Sequence, residues 1–585
     1  MARLSGGTLG GTVAGGGGAN TLTGDSVANT FTVTGANSGT ATGTGGFSNI
    51  SNLIGGSSTD SFVLSGGTLG GTIAGGGGVN TLTGASVTNT FTVTGANSGT
   101  ATGVTGGFSA ISNLIGGSSN DTFAFNAGGL IGGNIVGNAG VNSLDYSGNG
   151  GGAVTLNLAG TAGTTTSIDG TWTGITSVTG SSTTDTVTGV TQTYNLTAAN
   201  AGNNGTVSWT AFENLTDTGT GTFNVATGAT LSGAINGGTN GNLSYAAHAG
   251  PVSLNVSTNI ATGITGALVG IRNVTGSSAS DAVTGANQTW VLTGANAGNN
   301  GTYFWTSFEN LTDTGNAAIS GTGSLTSVGI TGTSTLTSAS ITTSGAQTYG
   351  GMVTLAGATT TLNTSGGGAI TLPVVNGTTP GTQSLTINGA GSTPGTVTMG
   401  GAIGGGGNTL LNFSATGAGT MTLPAITSTG TATVSAGSIN GVGPVTTGAL
   451  SITSTTTVVN GLVINSNTLA VAGAAGTWVF PNPSAVASNT ATGPSTIGVS
   501  VSGASFSVTA AQQQAQAAVS GAAATAVATA ADTAASAFST DSVAEQIEFG
   551  FAGDVGTLPP MDHRLQGVGI SVPECFSNSR EGESC

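Results

Sequence analysis

The sequence predicts an all-β protein: a right-handed parallel β-helix, or β-solenoid rod, followed by a short Ala-rich helical segment and an irregular C-terminal tail. Three observations predict it. Residues 6–65 recur almost letter for letter at 66–126, and self-copying at a fixed period marks a chain that stacks equivalent units. Short runs such as Phe31-Thr32-Val33-Thr34 and Ser384-Leu385-Thr386-Ile387 place an apolar residue at every second position, the period of a half-buried strand. Composition then excludes the helical alternatives. Gly supplies 109 of 585 residues, only 4% of residues are charged, and there is no lysine, whereas helices need Ala, Leu, Glu and Lys. Regular apolar alternation also separates the chain from disordered Gly/Ser-rich sequences, which lack apolar residues.

The elements follow in order. Residues 1–130 hold the near-identical 60-residue repeats, and 131–320 hold divergent relatives at a spacing of 96. Thr193-Tyr194-Asn195-Leu196 and Thr289-Trp290-Val291-Leu292 open the later copies, which close on Phe212-Glu213-Asn214-Leu215 and Phe308-Glu309-Asn310-Leu311. With about 20 residues per coil, the two spacings read as about three and about five whole coils. Residues 321–509 continue as an uncharged shaft; no charged residue lies between Asp313 and Asp532, so that span supplies no charged acid or base. Residues 510–549 turn Ala-rich and read as a helical linker, too interrupted by polar residues for a membrane span of about 20 apolar residues. Residues 550–585 form the tail. No other stretch reads as transmembrane, and Met1-Ala2-Arg3-Leu4-Ser5 lacks the apolar core of a signal peptide.

Candidate sites are few. Gly55-Gly56-Ser57-Ser58-Thr59-Asp60 and Gly116-Gly117-Ser118-Ser119-Asn120-Asp121 echo the calcium nonapeptide, with weaker echoes ending at Asp185 and Asp281. Ser stands where the second turn needs Gly, and tandem neighbours are missing. Asp60 and Asp121 are therefore weak calcium candidates beside a plain β-turn reading, and no cofactor is expected. Glu213 with Asp217, and Glu309 with Asp313, are the best carboxylate pairs for general acid–base work; their equivalent places in two repeats favour a shared structural turn. Asn52, Asn113, Asn214 and Asn310 read as turn formers, or else as an amide ladder or ligand-binding row. His248 and His563 lie far apart without evident partners. A net charge of −16 repels phosphate and argues against nucleic acid. No catalytic residue is assigned.

The only cysteines, Cys575 and Cys585, lie ten apart at the end of the chain. In an oxidising compartment such a pair reads as a disulfide loop, with two unpaired thiols as the alternative; zinc would need more ligands than His563 adds. Together with the repeat style of residues 1 to about 509, including Ile341 to Tyr349 leading into Val353-Thr354-Leu355, this terminus resembles bacterial exoproteins of the filamentous-haemagglutinin type, exported by two-partner secretion. The Cys575 and Cys585 pair resembles the C-terminal cysteines of the high-molecular-weight adhesins in that group. The resemblance implies that the looped end holds the protein in an outer-membrane transporter. The family's N-terminal secretion domain is missing, so the chain reads as the C-terminal portion of a longer protein, or else as one that leaves the cell by another route.

These readings converge on an extracellular, outer-membrane-associated, non-enzymatic shaft that displays or projects. Its partners would be the transporter or surface anchor, and a host receptor, a glycan or another copy of itself. The alternatives are a self-assembling fibre or surface-layer subunit, and, less well supported, a β-helical polysaccharide-active enzyme.

Overall fold

The computed structural model describes residues 1–158, 163–389, 395–441 and 445–457, and the strand segments 464–473, 477–480, 489–492, 496–501 and 504–509. The Ala-rich segment, the tail, His563, Cys575 and Cys585 lie outside the described residues. The described chain is all-β, and most strand pairing is parallel between a strand and one about a coil further along, as the alternating runs lead one to expect. It divides into two compact units. One comprises residues 1–284 with 302–308, the other residues 285–301 with the chain from 309 onward.

In the first unit, apolar side chains stack in columns, one per coil. Leu22 pairs with Leu53, Leu53 with Ile73 and Ile73 with Phe108, so successive coils take 31, 20 and 35 residues. The difference has a local cause. After the aromatic strand Thr30–Gly35 the chain turns back through Ser38–Ala41 and Thr44–Ser48 in antiparallel pairing, and Thr90–Gly95, Ser98–Ala101 and Val104–Ser109 repeat this. Coils that carry the meander are long, and the one between Leu53 and Ile73 that lacks it is short. The Ala-Asn turn makes the first reversal possible: Asn37, Asn97 and Asn200 sit at φ of 53°, 52° and 49°, in the left-handed region that Asn tolerates better than most residues.

The expectation of whole coils per repeat is corrected by this register. Phe31 stacks under Phe62, and Phe62 under Leu82. Leu82 is the second-copy equivalent of Leu22, yet it lies in the column of Phe31. Phe91, equivalent to Phe31, lies in a further column with Phe123, Leu144, Val178 and Trp209. One 60-residue copy thus makes two coils and advances one face. The 96-residue spacing is not a whole number of coils either. From Tyr194 the column runs through Phe223, Leu243 and Val274 to Trp305, while Trp209, the equivalent of Trp305, belongs to the column of Phe91.

Stacking rather than a broad core holds the coils. Phe31 and Phe62 lie with ring centroids 5.1 Å apart and planes 6° from parallel, Phe91 and Phe123 at 5.1 Å and 4°, Tyr194 and Phe223 at 4.8 Å and 7°. These separations match the spacing of neighbouring strands, about 4.8 Å, so in-register pairing alone brings the rings into contact. Each buried Phe contributes about 2–3 kcal/mol and each ring pair about 0.5–1.5 kcal/mol more.

The second unit has no such excursion in residues 317–389, and its coils shorten to 17 residues between Ala317 and Ser334 and 19 between Ser334 and Val353. Its core includes the column Ile341, Leu362, Ile387, Ala415, Val434 and Ile452, all buried.

Candidate functional site

The chemically distinctive groups of the described chain are buried carboxylates, and they sit at the corners of the coils. The corners that carry Asp60, Asp121, Asp185 and Asp281 are six-residue turns opening on Gly and closing on Asp, and the coils next to Asp60 and Asp121 close the same turn on Asn. At one corner the closing residues of three successive coils are Asn29, Asp60 and Asn80; at the next they are Asn89, Asp121 and Asn142, all essentially buried.

The ladder is built by complementary chemistry. An ionised Asp only accepts hydrogen bonds, while Asn both donates and accepts. Asp60 Oδ1 accepts from the Asn29 backbone N–H at 2.7 Å and from Asn29 Nδ2 at 2.9 Å, and its Oδ2 accepts from the Gly56 N–H at 2.6 Å. The Asp60 N–H donates upward to Asn80 Oδ1 at 2.8 Å. Asp121 repeats the pattern: Asn89 N–H and Nδ2 donate to it at 2.8 Å each, Gly117 N–H at 2.7 Å, and its own N–H donates to Asn142 Oδ1 at 2.9 Å. The surplus Asn protons go to backbone carbonyls, Asn80 Nδ2 to Ala110 O and Asn142 Nδ2 to Gly174 O.

This geometry bears on the calcium reading of Asp60 and Asp121. A cation needs oxygens that face it free of donors, and here the carboxylate oxygens are met by N–H groups. Among the described residues no group of three or more His, Cys, Asp and Glu converges. These bonds are those of an Asp that closes a β-turn and joins it to the neighbouring coils.

Asp185 and Asp281, the weaker echoes, do the same work. Asp185 accepts from Val154 N–H at 2.6 Å and Ser181 Oγ at 3.0 Å. Asp281 accepts from Val252 N–H at 2.8 Å, from Ser277 Oγ at 2.8 Å and from the Ser277 N–H. Val154 and Val252 thus stand where Asn29 and Asn89 serve the earlier copies, and the hydroxyls of Ser181 and Ser277, at the places of Gly56 and Gly117, replace the missing Asn side-chain donor.

The two carboxylate pairs are likewise taken up by hydrogen bonds within the chain, the Asp members by backbone N–H groups and the Glu members largely by Asn side chains. Asp217, buried, accepts from Thr191 and Gln192 N–H at 2.8 Å each, from Gly219 N–H at 2.8 Å and from the Tyr194 hydroxyl at 3.2 Å. In the second unit Asp313 accepts from Asn287 and Gln288 N–H at 2.9 Å each and from Gly315 N–H at 2.8 Å, and Trp290 Nε1 donates at 2.9 Å in place of a hydroxyl. Glu213 bridges Asp185 N–H at 2.8 Å and Asn200 Nδ2 at 3.0 Å, and Glu309 accepts from Asn296 Nδ2 at 2.8 Å. Each Glu fixes the Ala-Asn turn of its own copy. Burial raises the Tyr194 phenol well above the usual tyrosine range, and the Asp217 charge adds to the effect.

Asn52, Asn113, Asn214 and Asn310 each open a strand. Their Oδ1 atoms accept from the following coil: Thr72 N–H at 2.9 Å, Asn134 N–H at 2.8 Å, Ala234 N–H at 2.9 Å and Ser327 Oγ at 2.7 Å. They bond neighbouring coils rather than forming a row that offers amides to a ligand. Amide-on-amide ladders do occur, but at residues the sequence did not single out: Asn224 Nδ2 donates to Asn195 Oδ1 at 2.8 Å and Asn273 Nδ2 to Asn242 Oδ1 at 2.9 Å. His248 closes a local turn against Gly250 O at 3.0 Å. Arg272, exposed, lies over the Phe304 ring at 4.3 Å. No helix among the described residues is long and apolar enough to cross a membrane.

Compared with known proteins, the chain matches no family model and no curated sequence.

Proposed function

We propose that the protein is a non-enzymatic bacterial surface shaft of the adhesin type, a right-handed parallel β-helix that projects from the cell and is tethered through its C-terminal end. The observation that carries this reading is the use made of the acidic side chains. Asp60, Asp121, Asp185, Asp217, Asp281 and Asp313 are all buried and all spent on backbone N–H donors at corners, whereas a general acid or base needs reach to a substrate. A chain that invests its charges in joining coil to coil is built for length. The resemblance to two-partner-secretion exoproteins supplies the tether, with Cys575 and Cys585 as a disulfide-closed end in an outer-membrane transporter, and adhesion would rest on avidity over repeated shallow faces.

Electron microscopy of the purified chain tests the reading. Separate thin rods are expected at every concentration; filaments that lengthen with concentration would replace it with a self-assembling fibre or surface-layer subunit. Thiol titration of exported protein tests the tether, where two reactive thiols would refute the loop. Turnover of a glycan that vanishes when Glu213 and Glu309 are both changed to Gln would establish an enzyme instead.

A further inference from the structure

The uncharged stretch after Asp313 builds an unusual face in the second unit. In four successive coils the strand segments 359–363, 384–388, 412–416 and 431–435 stack in parallel register. Their outward positions form three columns, and all twelve are Thr, Ser or Asn. The positions between them, such as Leu362, Ile387, Phe413 and Val434, are buried.

Both edge columns are tied to themselves: on one side Asn388 Nδ2 donates to Asn363 Oδ1 at 2.7 Å and Thr416 Oγ1 to Asn388 Oδ1 at 3.0 Å, and on the other Asn412 Nδ2 donates to Ser384 Oγ at 3.4 Å and Thr431 Oγ1 to Asn412 Oδ1 at 3.0 Å. The central column differs. The hydroxyls of Thr361, Thr386, Ser414 and Thr433 have no hydrogen-bond partner within the described chain, so they are satisfied from outside. In-register pairing sets them about 4.8 Å apart between coils and about 6.6 Å from their neighbours along each strand.

We infer that this face binds ice. A hydroxyl donates one proton and accepts two, so a regular array of them holds water of either orientation at fixed positions. The two repeat distances are of the order of the oxygen repeats on faces of hexagonal ice. Charge complementarity points the same way: a lattice of neutral water is met by a face without an ion, and ions order water around themselves. Sugars, the other neutral partners, are recognised by aromatic platforms, and the outward columns contain none. The inference goes beyond the proposed surface shaft and does not depend on it.

The test uses the full chain. Wild-type protein is expected to be drawn into a slowly growing ice front and to inhibit recrystallisation; exclusion from ice would overturn the inference. Because the columns bind together, T386Y/S414Y is expected to lose about tenfold or more of this activity, while T335Y/T354Y, on a different outward column of the same unit, retains it. Equal activity in both variants would also refute the site. Should the tyrosines prevent folding, T361V/T386V/T433V keeps the β-branched shape and removes only the hydroxyls; unchanged ice activity in that folded variant counts against the inference. Retention on insoluble chitin or cellulose that the array variants lose, without any effect on ice, would assign the face to a neutral polysaccharide instead.

Discussion

Trp290 donates its indole N–H to Asp313 at 2.9 Å, and at the equivalent place 96 residues earlier the Tyr194 hydroxyl meets Asp217 at 3.2 Å. Two different aromatic side chains thus place a hydrogen-bond donor against equivalent buried carboxylates, the Tyr194 hydroxyl sharing its proton with Thr216 O at 3.1 Å. What the repeat retains is the donor, and the ring that carries it is exchangeable. W290F keeps most of the packing and removes the donor, so it is expected to cost about 1–3 kcal/mol through an under-satisfied buried carboxylate. W290Y is expected to recover part of that loss. Urea unfolding of the three proteins decides it; equal stability of Phe and Tyr at this position would remove the Asp313 bond from the account.

The corner ladder gives a second expectation. D60N and D121N place an amide where Gly56 or Gly117 N–H points, setting donor against donor. Each is expected to destabilise the first unit by about 1–3 kcal/mol, with the transition midpoint lowered in urea. Calcium added to chelator-treated wild type is expected to leave the melting temperature unchanged. A rise in melting temperature with calcium that D60N and D121N abolish would reverse the assignment of these residues.

Alkaline pH should unfold the protein for a calculable reason. Burial raises the phenols of Tyr146, Tyr194, Tyr245, Tyr303 and Tyr349 above the ordinary value of 10.0. Above pH 10 the unfolded chain releases these protons while the folded chain keeps them, so stability falls as pH rises. It is fully present below that pH. Melting temperature is expected to be insensitive to tyrosine ionisation up to about pH 9 and to drop beyond 10. Phenolate absorbance should appear together with loss of the β signal; ionisation within an intact fold would contradict the burial argument.

Gly99 faces the meander so closely that a Cβ there would overlap the Thr92 carbonyl oxygen, and Gly39 stands in the same relation to Thr32. G99A is expected to cost about 1–3 kcal/mol by overpacking. G10A, with open space around its Cβ position, serves as the control and should be close to neutral by the same thermal melt.

The strands were legible because their signal is local. Phe31-Thr32-Val33-Thr34 alternates in sequence and alternates between buried and less buried in the structure, and the Ala-Asn turns fall where the repeat places them. The antiparallel meander was not legible: Ser38–Ala41 reads as Ser-Gly-Thr-Ala, a run with no apolar period to betray a strand. Missing it made every coil look alike and turned the repeat spacing into a false count. Corner carboxylates were half legible. Asp60 and Asp121 stood out because their Gly-Gly-Ser-Ser context imitates a calcium turn, but their partners Asn29 and Asn89 lie 31 and 32 residues earlier. Only the stacking register brings them together. Glu213 was noticed as half of an acid pair with Asp217, while its bonds go to Asp185 and Asn200.

A sixty-residue copy that makes two coils and advances one face behaves like a screw thread rather than a spacer. Adding one copy would therefore also move each later strand of the first unit to another column. Within the first unit this carries Trp209 and Trp305, equivalent in sequence, into different columns. A gene that gains or drops copies by recombination would therefore change which side of the coil each later residue of that unit faces, as well as the number of coils. Two length variants of such a protein would show their surroundings different sides, although every residue of the repeated unit was the same.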